Sequence, residues 1–269
     1  MVTKLQIDGQ VAWLKRYEGG SRRLRLGLLD WCARRLGLAP LRPPPHRVGP
    51  AARDTEQRRI DELASQGARV PRVLGAGRDC LLLADIGPTL AALLRQADPD
   101  GADRLVADAA AAVARVHAAG GYLGQPLSRN IAIGPAGEVG FLDFEEDPAE
   151  VMPLAHAQAR DWLVLAAGLG RHARQDAQTQ AALLRPMLAS GTAEVRGLLA
   201  DSVARLRPVE FTADLLGRRA SALSRAVRAL RAALVLWLPV ALGILLLLGL
   251  DLAGDGELDL LPLLGGLLL

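Results

Sequence analysis

The stretch His117 to Asp147, HAAGGYLGQPLSRNIAIGPAGEVGFLDFEED, decides how the rest of the chain is read. It continues a helix predicted over Asp103 to Ala119, where Leu105, Ala109, Val113 and Val116 recur at three- and four-residue steps and Gly120 and Gly121 supply the stop. Two apolar runs, Asn130-Ile-Ala-Ile and Glu138-Val-Gly-Phe-Leu-Asp-Phe, flank Gly134-Pro-Ala-Gly, the pattern of a short hairpin. Such a hairpin brings Asn130, at its entrance, beside Asp143, at its exit. Two oxygen-bearing side chains so placed suit a hard cation such as Mg²⁺, which takes a few protein oxygens and completes its shell with phosphate and water. Asn and Asp at strand ends are also ordinary turn residues, so the rest of the chain must supply any further parts of a site.

The chain has 269 residues, half of them apolar, enough for one two-lobed domain or two small ones with a sizeable core. Its formal charge is +3, but Asp251, Asp255, Glu257 and Asp259 lie in a tail without Lys or Arg, which leaves 32 cationic against 25 acidic side chains, +7, for residues 1–250. Cys32 and Cys80 are isolated, lack metal-type spacing and read as packing residues of a reduced compartment. Met1 to Gln10 is polar and shows no signal-peptide pattern. The arginines are spread along the chain without aromatic interleaving, which argues against a nucleic-acid partner.

Lys4 to Tyr17 reads as two strands joined at Asp8-Gly9, the second with Val11, Trp13 and Lys15 on one face. Only Lys4 and Lys15 among the 32 cationic residues are lysines, so a lysine on this strand is informative. Between Gly19 and Pro50, Leu24, Leu28, Trp31 and Leu38 gather on one side of a helix whose other side carries Arg22, Arg25, Arg34 and Arg35. That pattern fits a helix lying on an anionic membrane surface or one packed on the protein core. It ends in the stiff connector Leu41-Arg-Pro-Pro-Pro-His-Arg. A helix over Arg53 to Ala68 precedes Val70-Pro71-Arg-Val-Leu; Asp79 to Gly87 reads as a buried strand entering a Gly-Pro hinge, and Thr89 to Gln96 as a short helix. Beyond Asp143, an apolar helix over Ala155 to His172 bears Asp161, and two more helices fill Gln178 to Leu206.

The ordered set Lys15, Glu56, Asn130, Asp143 and Asp161 resembles the protein-kinase fold over about residues 5 to 210. More narrowly it is similar to the small atypical kinases, the KEOPS-complex kinase and the lipopolysaccharide core heptose kinases, in which an E-x-x-x-L helix is followed by a Gly and a v-P-x-v run. The resemblance implies an α+β bilobal fold: an N-lobe over residues 1–95, a small antiparallel sheet plus helix with a basic insertion at 20–50, and a helical C-lobe over 96–212. It implies ATP and Mg²⁺ as cofactors. Lys15 would contact the α- and β-phosphates and pair with Glu56, with Glu62 as the fallback; Asn130 and Asp143 would hold Mg²⁺; Asp161 would bond the backbone of the catalytic loop.

Several positions depart from that family's pattern. Gln125, in Leu123-Gly-Gln-Pro, stands five residues before Asn130, where the family has its catalytic Asp. Gln can orient a hydroxyl but cannot take up its proton as a carboxylate does. Glu145 replaces the Gly of Asp-Phe-Gly, and no Gly-rich loop fits before Lys15. Only 18 positions separate Asp143 from Asp161, too few for a peptide-binding platform. The implied activity is therefore phosphoryl transfer from ATP to a lipid- or sugar-linked hydroxyl, with Gln125 orienting the acceptor. The alternative is a catalytically inactive pseudokinase that recruits a protein partner; a third reading is nucleotidyl transfer of the AMPylating kind.

Ala232 to Leu250 contains no charged residue across 19 positions, long enough to cross a bilayer, with Pro239 as a kink. Arg218, Arg219, Arg225, Arg228 and Arg231 lie before it and only acids after it. Residues 213–269 therefore read as a basic linker, a transmembrane helix and an acidic and apolar tail. The positive-inside rule gives a single-pass protein of the inner (cytoplasmic) membrane with residues 1–231 in the cytoplasm and a membrane lipid or glycolipid as acceptor. Leu258 to Leu269, broken by Pro262 and two glycines, fits a re-entrant or interfacial segment.

Overall fold

Asp8 and Gly9 both take positive φ, 49° and 78°, the handedness that lets a two-residue turn follow the twist of the strands beside it. Strand β1 (Val2–Ile7) thereby folds back on β2 (Gln10–Arg16), with Val2 opposite Lys15. The computed structural model describes residues 1–17, 23–169, 177–206 and 218–235. Two further strands, β3 (Val73–Ala76) and β4 (Cys80–Ala84), complete an antiparallel sheet in the order β1-β2-β4-β3, with a register shift between Val73 and Gly75.

Helix α1 (Arg23–Arg35) belongs to the basic insertion; Ala33 and Leu38 are buried, while Trp31 stands 62% exposed. The connector after it is tied down by Arg160, which donates to the carbonyls of Pro40 and Arg42 at 3.4 and 3.2 Å. Helix α2 (Pro50–Ser65) starts on a proline, where a missing N–H costs nothing, and packs on β4 with Ile60 and Leu63 buried. Burying a side chain the size of Leu63 contributes roughly 1.5–3 kcal/mol. After β4 the short helix α3 (Leu90–Leu94) is capped by the Thr89 hydroxyl, and α4 (Pro99–Ala118) by the Asp98 carboxylate.

The hairpin β5 (Ile131–Ile133) and β6 (Val139–Phe141) packs on α3 and α4. Helices α5 (Leu154–Leu169), α6 (Ala177–Ala189), α7 (Ala193–Arg205) and α8 (Arg218–Val235) close the helical part. The described residues thus form an α+β protein with eight α-helices, and one continuous core runs from Tyr17, Leu63 and Leu81 to Val227 and Ala233.

The C-terminal membrane span is overturned. Among the described residues no helix is long and apolar enough to cross a membrane, so the transmembrane helix and the single-pass, inner-membrane location built on it are not supported. The basic run before the apolar stretch is helix α8, which carries on through Ala232 to Val235 and packs on α5, α6 and α7. Ala226, Val227, Ala229, Leu230 and Ala233 are buried, while Arg225, Arg228 and Arg231 recur at three-residue steps along its other side. Hydropathy alone does not distinguish an apolar stripe facing lipid from one facing protein. Residues 236–269, with the rest of the predicted span and the tail segment, lie outside the described residues.

Candidate functional site

The loop from α4 to β5 is pinned from behind by α5. Asp161 is wholly buried and accepts the backbone N–H groups of Leu123 at 2.7 Å and Gly124 at 2.6 Å, with His117 Nε2 at 2.9 Å from Oδ2. Gln158 Nε2 donates to the Gly121 carbonyl at 2.9 Å, and Arg160 to that of Gly124 at 3.1 Å. A Cβ on Gly168 would lie 2.9 Å from Ser128 N, so helix and loop approach backbone to backbone. These contacts set the tight turns in which Leu127 N–H donates to Gln125 O and Asn130 N–H to Leu127 O, both at 2.7 Å. Asn130, buried at the end of the loop, then points its Nδ2 at Gln125 O, 3.0 Å, and at Asp143 Oδ2, 3.3 Å.

Asp143 leaves β6 with φ 71°, a left-handed conformation that costs a non-glycine residue roughly 1–3 kcal/mol and is retained only where surrounding contacts hold it. Those contacts include Lys15 on β2, whose Nζ lies 2.6 Å from Asp143 Oδ1, 2.6 Å from Glu56 Oε2 on α2 and 3.5 Å from Glu145 Oε2. Tyr17, one residue past the end of β2 and two beyond Lys15, donates its hydroxyl to Glu56 at 2.7 Å and sets its ring 5.4 Å from the ammonium. A cleft of about 330 Å³ opens beside this network. Its wall is mostly apolar, with Val2, Trp13, Leu83 and Leu142, and Lys15, Glu56, Asn130 and Asp143 form its polar corner.

One ammonium faces three carboxylates. Burial works to lower the Lys15 pKa, but Glu56, Asp143 and Glu145 outweigh it and hold the amine firmly protonated. Burial pushes the Glu56 carboxyl up from its usual range, opposed by Lys15 and by the hydrogen bonds from Lys15 and Tyr17. Carboxylate oxygens of Glu56, Asp143 and Glu145 lie within 4.8 Å of one another, a geometry that can hold a metal ion. The excess of negative charge around a single ammonium favours a divalent cation on Coulombic grounds.

Of the residues singled out in the sequence, Lys15, Glu56, Asn130 and Asp143 converge on this corner, and Asp161 sits behind the loop that carries Gln125 and Asn130. Glu62 is instead on the outer side of α2, paired with Arg58 and Arg59 at 2.7 Å. The Gln125 side chain does not line the cleft; its Nε2 donates to Glu146 Oε2 at 2.5 Å. Sequence reasoning passed over Tyr17, Glu146, and the link of Arg58 and Tyr122 to Asp147 at 2.6 and 2.5 Å that joins α2 to the segment after Asp143. Tyr17 was legible from its place two residues beyond Lys15 in the strand run read as far as Tyr17; the others depend on chain reversals that no local pattern announces. No protein-family model matches the chain, and no curated protein matches it.

Proposed function

We propose that the cleft binds a nucleoside triphosphate with Mg²⁺, in the manner of the small atypical kinases, and that the protein transfers its terminal phosphoryl group to a sugar- or lipid-linked hydroxyl. The observation that carries this reading is Lys15 Nζ held 2.6 Å from both Glu56 and Asp143, with Asn130 3.3 Å from Asp143, at the rim of an apolar cleft. In this reading the apolar wall takes the base and Lys15 binds the α- and β-phosphates. Asn130 Oδ1 and the Asp143 carboxylate hold the cation, which supplies neutralisation of phosphate charge when bound. The donor set fits: two hard oxygens on a rigid hairpin, in surroundings already short of positive charge. Asp161 keeps the loop at its height. The short connection between Asp143 and α5, with a single 3₁₀ turn at Pro148–Glu150, favours a small acceptor over a peptide.

A second reading, a pseudokinase that uses nucleotide or none to hold its parts together, draws on the same network. Asp143 Oδ1 is already satisfied by Lys15 and Oδ2 by Asn130, and Gln125 lacks a proton-accepting group. Thermal-shift titration with Mg-ATP tests the shared premise. The native chain gains about 2.7 kcal/mol at 100 Kd, and Lys15→Ala and Asp143→Asn gain little or nothing. Absence of a shift in the native chain refutes nucleotide binding. Turnover of γ-labelled ATP above the Asp143→Asn background then separates enzyme from scaffold.

A further inference from the structure

The loop of the proposed phosphotransferase lacks a carboxylate where its resemblance calls for one, yet a carboxylate stands against that position. Gln125 Nε2, a group that only donates, lies 2.5 Å from Glu146 Oε2, so this oxygen accepts and the carboxyl group faces the loop. Glu146 is partly exposed and sits three residues beyond Asp143, on the segment that leaves the hairpin. Gln125 in turn shares its backbone oxygen with Asn130 Nδ2, so the glutamate is one side chain removed from the Asn130 and Asp143 corner.

We infer that Glu146 is the proton acceptor of the transfer step, a carboxylate supplied from the segment after β6 and aimed by Gln125 in place of one carried on the loop itself. The inference rests on the nucleotide-binding reading above and adds to it a residue for the chemical step. In that step the acceptor O–H proton passes to the free oxygen of the Glu146 carboxylate, and the acceptor oxygen forms its bond to the γ-phosphorus. The bond from that phosphorus to the β,γ-bridging oxygen breaks, and the nucleoside diphosphate departs with the electron pair. With water as acceptor the products are diphosphate nucleotide and inorganic phosphate, and Glu146 returns the proton to solvent.

The surroundings suit this role. Burial pushes the Glu146 carboxyl above its usual range; Arg160 on α5 and the Gln125 hydrogen bond pull it down, and Glu145 and Asp143 push it up. Arg160, buried and fixed by three carbonyls, places a positive charge near the glutamate.

The test uses the full chain with Mg-ATP and water as acceptor, reading both thermal shift and phosphate release. The Mg-ATP shift of Glu146→Gln should match the native one while phosphate release falls on the order of 10²-fold. Adding Gln125→Asp to Glu146→Gln, which returns a carboxylate to the loop, should recover much of the lost rate, an effect that a purely structural glutamate would not give. Phosphate release by Glu146→Gln within threefold of native overturns the inference and leaves the nucleotide reading standing. So does a native chain that binds Mg-ATP and releases no phosphate. A native chain with no Mg-ATP shift overturns the nucleotide reading itself, and the inference with it.

Discussion

Replacing Asp161 with Ala should loosen the loop that carries Gln125 and Asn130 and lower the stability of the whole protein. The carboxylate is wholly buried and accepts the Leu123 and Gly124 N–H groups at 2.7 and 2.6 Å, with His117 at 2.9 Å. Truncation leaves two buried backbone donors and a ring nitrogen without their acceptor. Each stranded group costs about 1–3 kcal/mol, so the sum is roughly 3–5 kcal/mol, allowing for partial relaxation. At 2–4 °C per kcal/mol for a domain of this size, Tm falls by about 6–20 °C. Asp161→Asn keeps the volume and one acceptor oxygen but turns an NH₂ toward a backbone donor, and should cost about half as much. Calorimetry or far-UV circular dichroism reads the stability, and hydrogen exchange reads the Leu123 and Gly124 amides directly. A Tm within 2 °C of native, or unchanged protection of those two amides, would refute the claim that Asp161 holds the loop.

Two further outcomes follow from the geometry. Burial alone would raise the Asp147 carboxyl, but hydrogen bonds from Tyr122 and Arg58 outweigh it and hold it below the ordinary range. A depressed folded-state pKa contributes stability that is present above the unfolded value, near 4, and is lost as pH falls through the folded value. Urea titrations between pH 5 and pH 2 should therefore show an acid-dependent loss of stability that is smaller in Asp147→Asn; equal pH slopes would count against the link from α2 to this segment. Gly87 takes φ 111°, and a Cβ there would meet the Ile133 carbonyl oxygen at 2.2 Å. Gly87→Ala should thus cost about 2–4 kcal/mol through backbone strain and displacement of β5, read as a fall in Tm, whereas a native-like melt would show that the hinge can yield.

Much of the local architecture was legible. Asp8-Gly9 announces its turn because few residues other than Gly, Asn and Asp accept positive φ, and the 3.6-residue period over Leu105 to Val116 marks α4 by the face it buries. Lys15, Glu56, Asn130 and Asp143 could be singled out because their residue types and order resemble those of the kinase fold, and they meet at one corner of the cleft. Strand β3 was not foreseen, since four residues containing a glycine carry too little alternation to be told from a loop. The apolar run after Arg231 misled for a different reason: composition reports how oily a face is, and leaves open what covers it.

The amino-acid sequence by itself determined the turns, the helix faces and the inventory of side chains able to bind a cation or phosphate, because each depends on neighbours a few residues away. Tertiary structure alone decided that Lys15 meets Asp143 across 128 positions, that Glu146 stands against Gln125, and that α8 lies on α5, α6 and α7. Such pairings hold only once a shared core offsets the entropy of closing long loops, so they belong to the packed whole and to no segment of it.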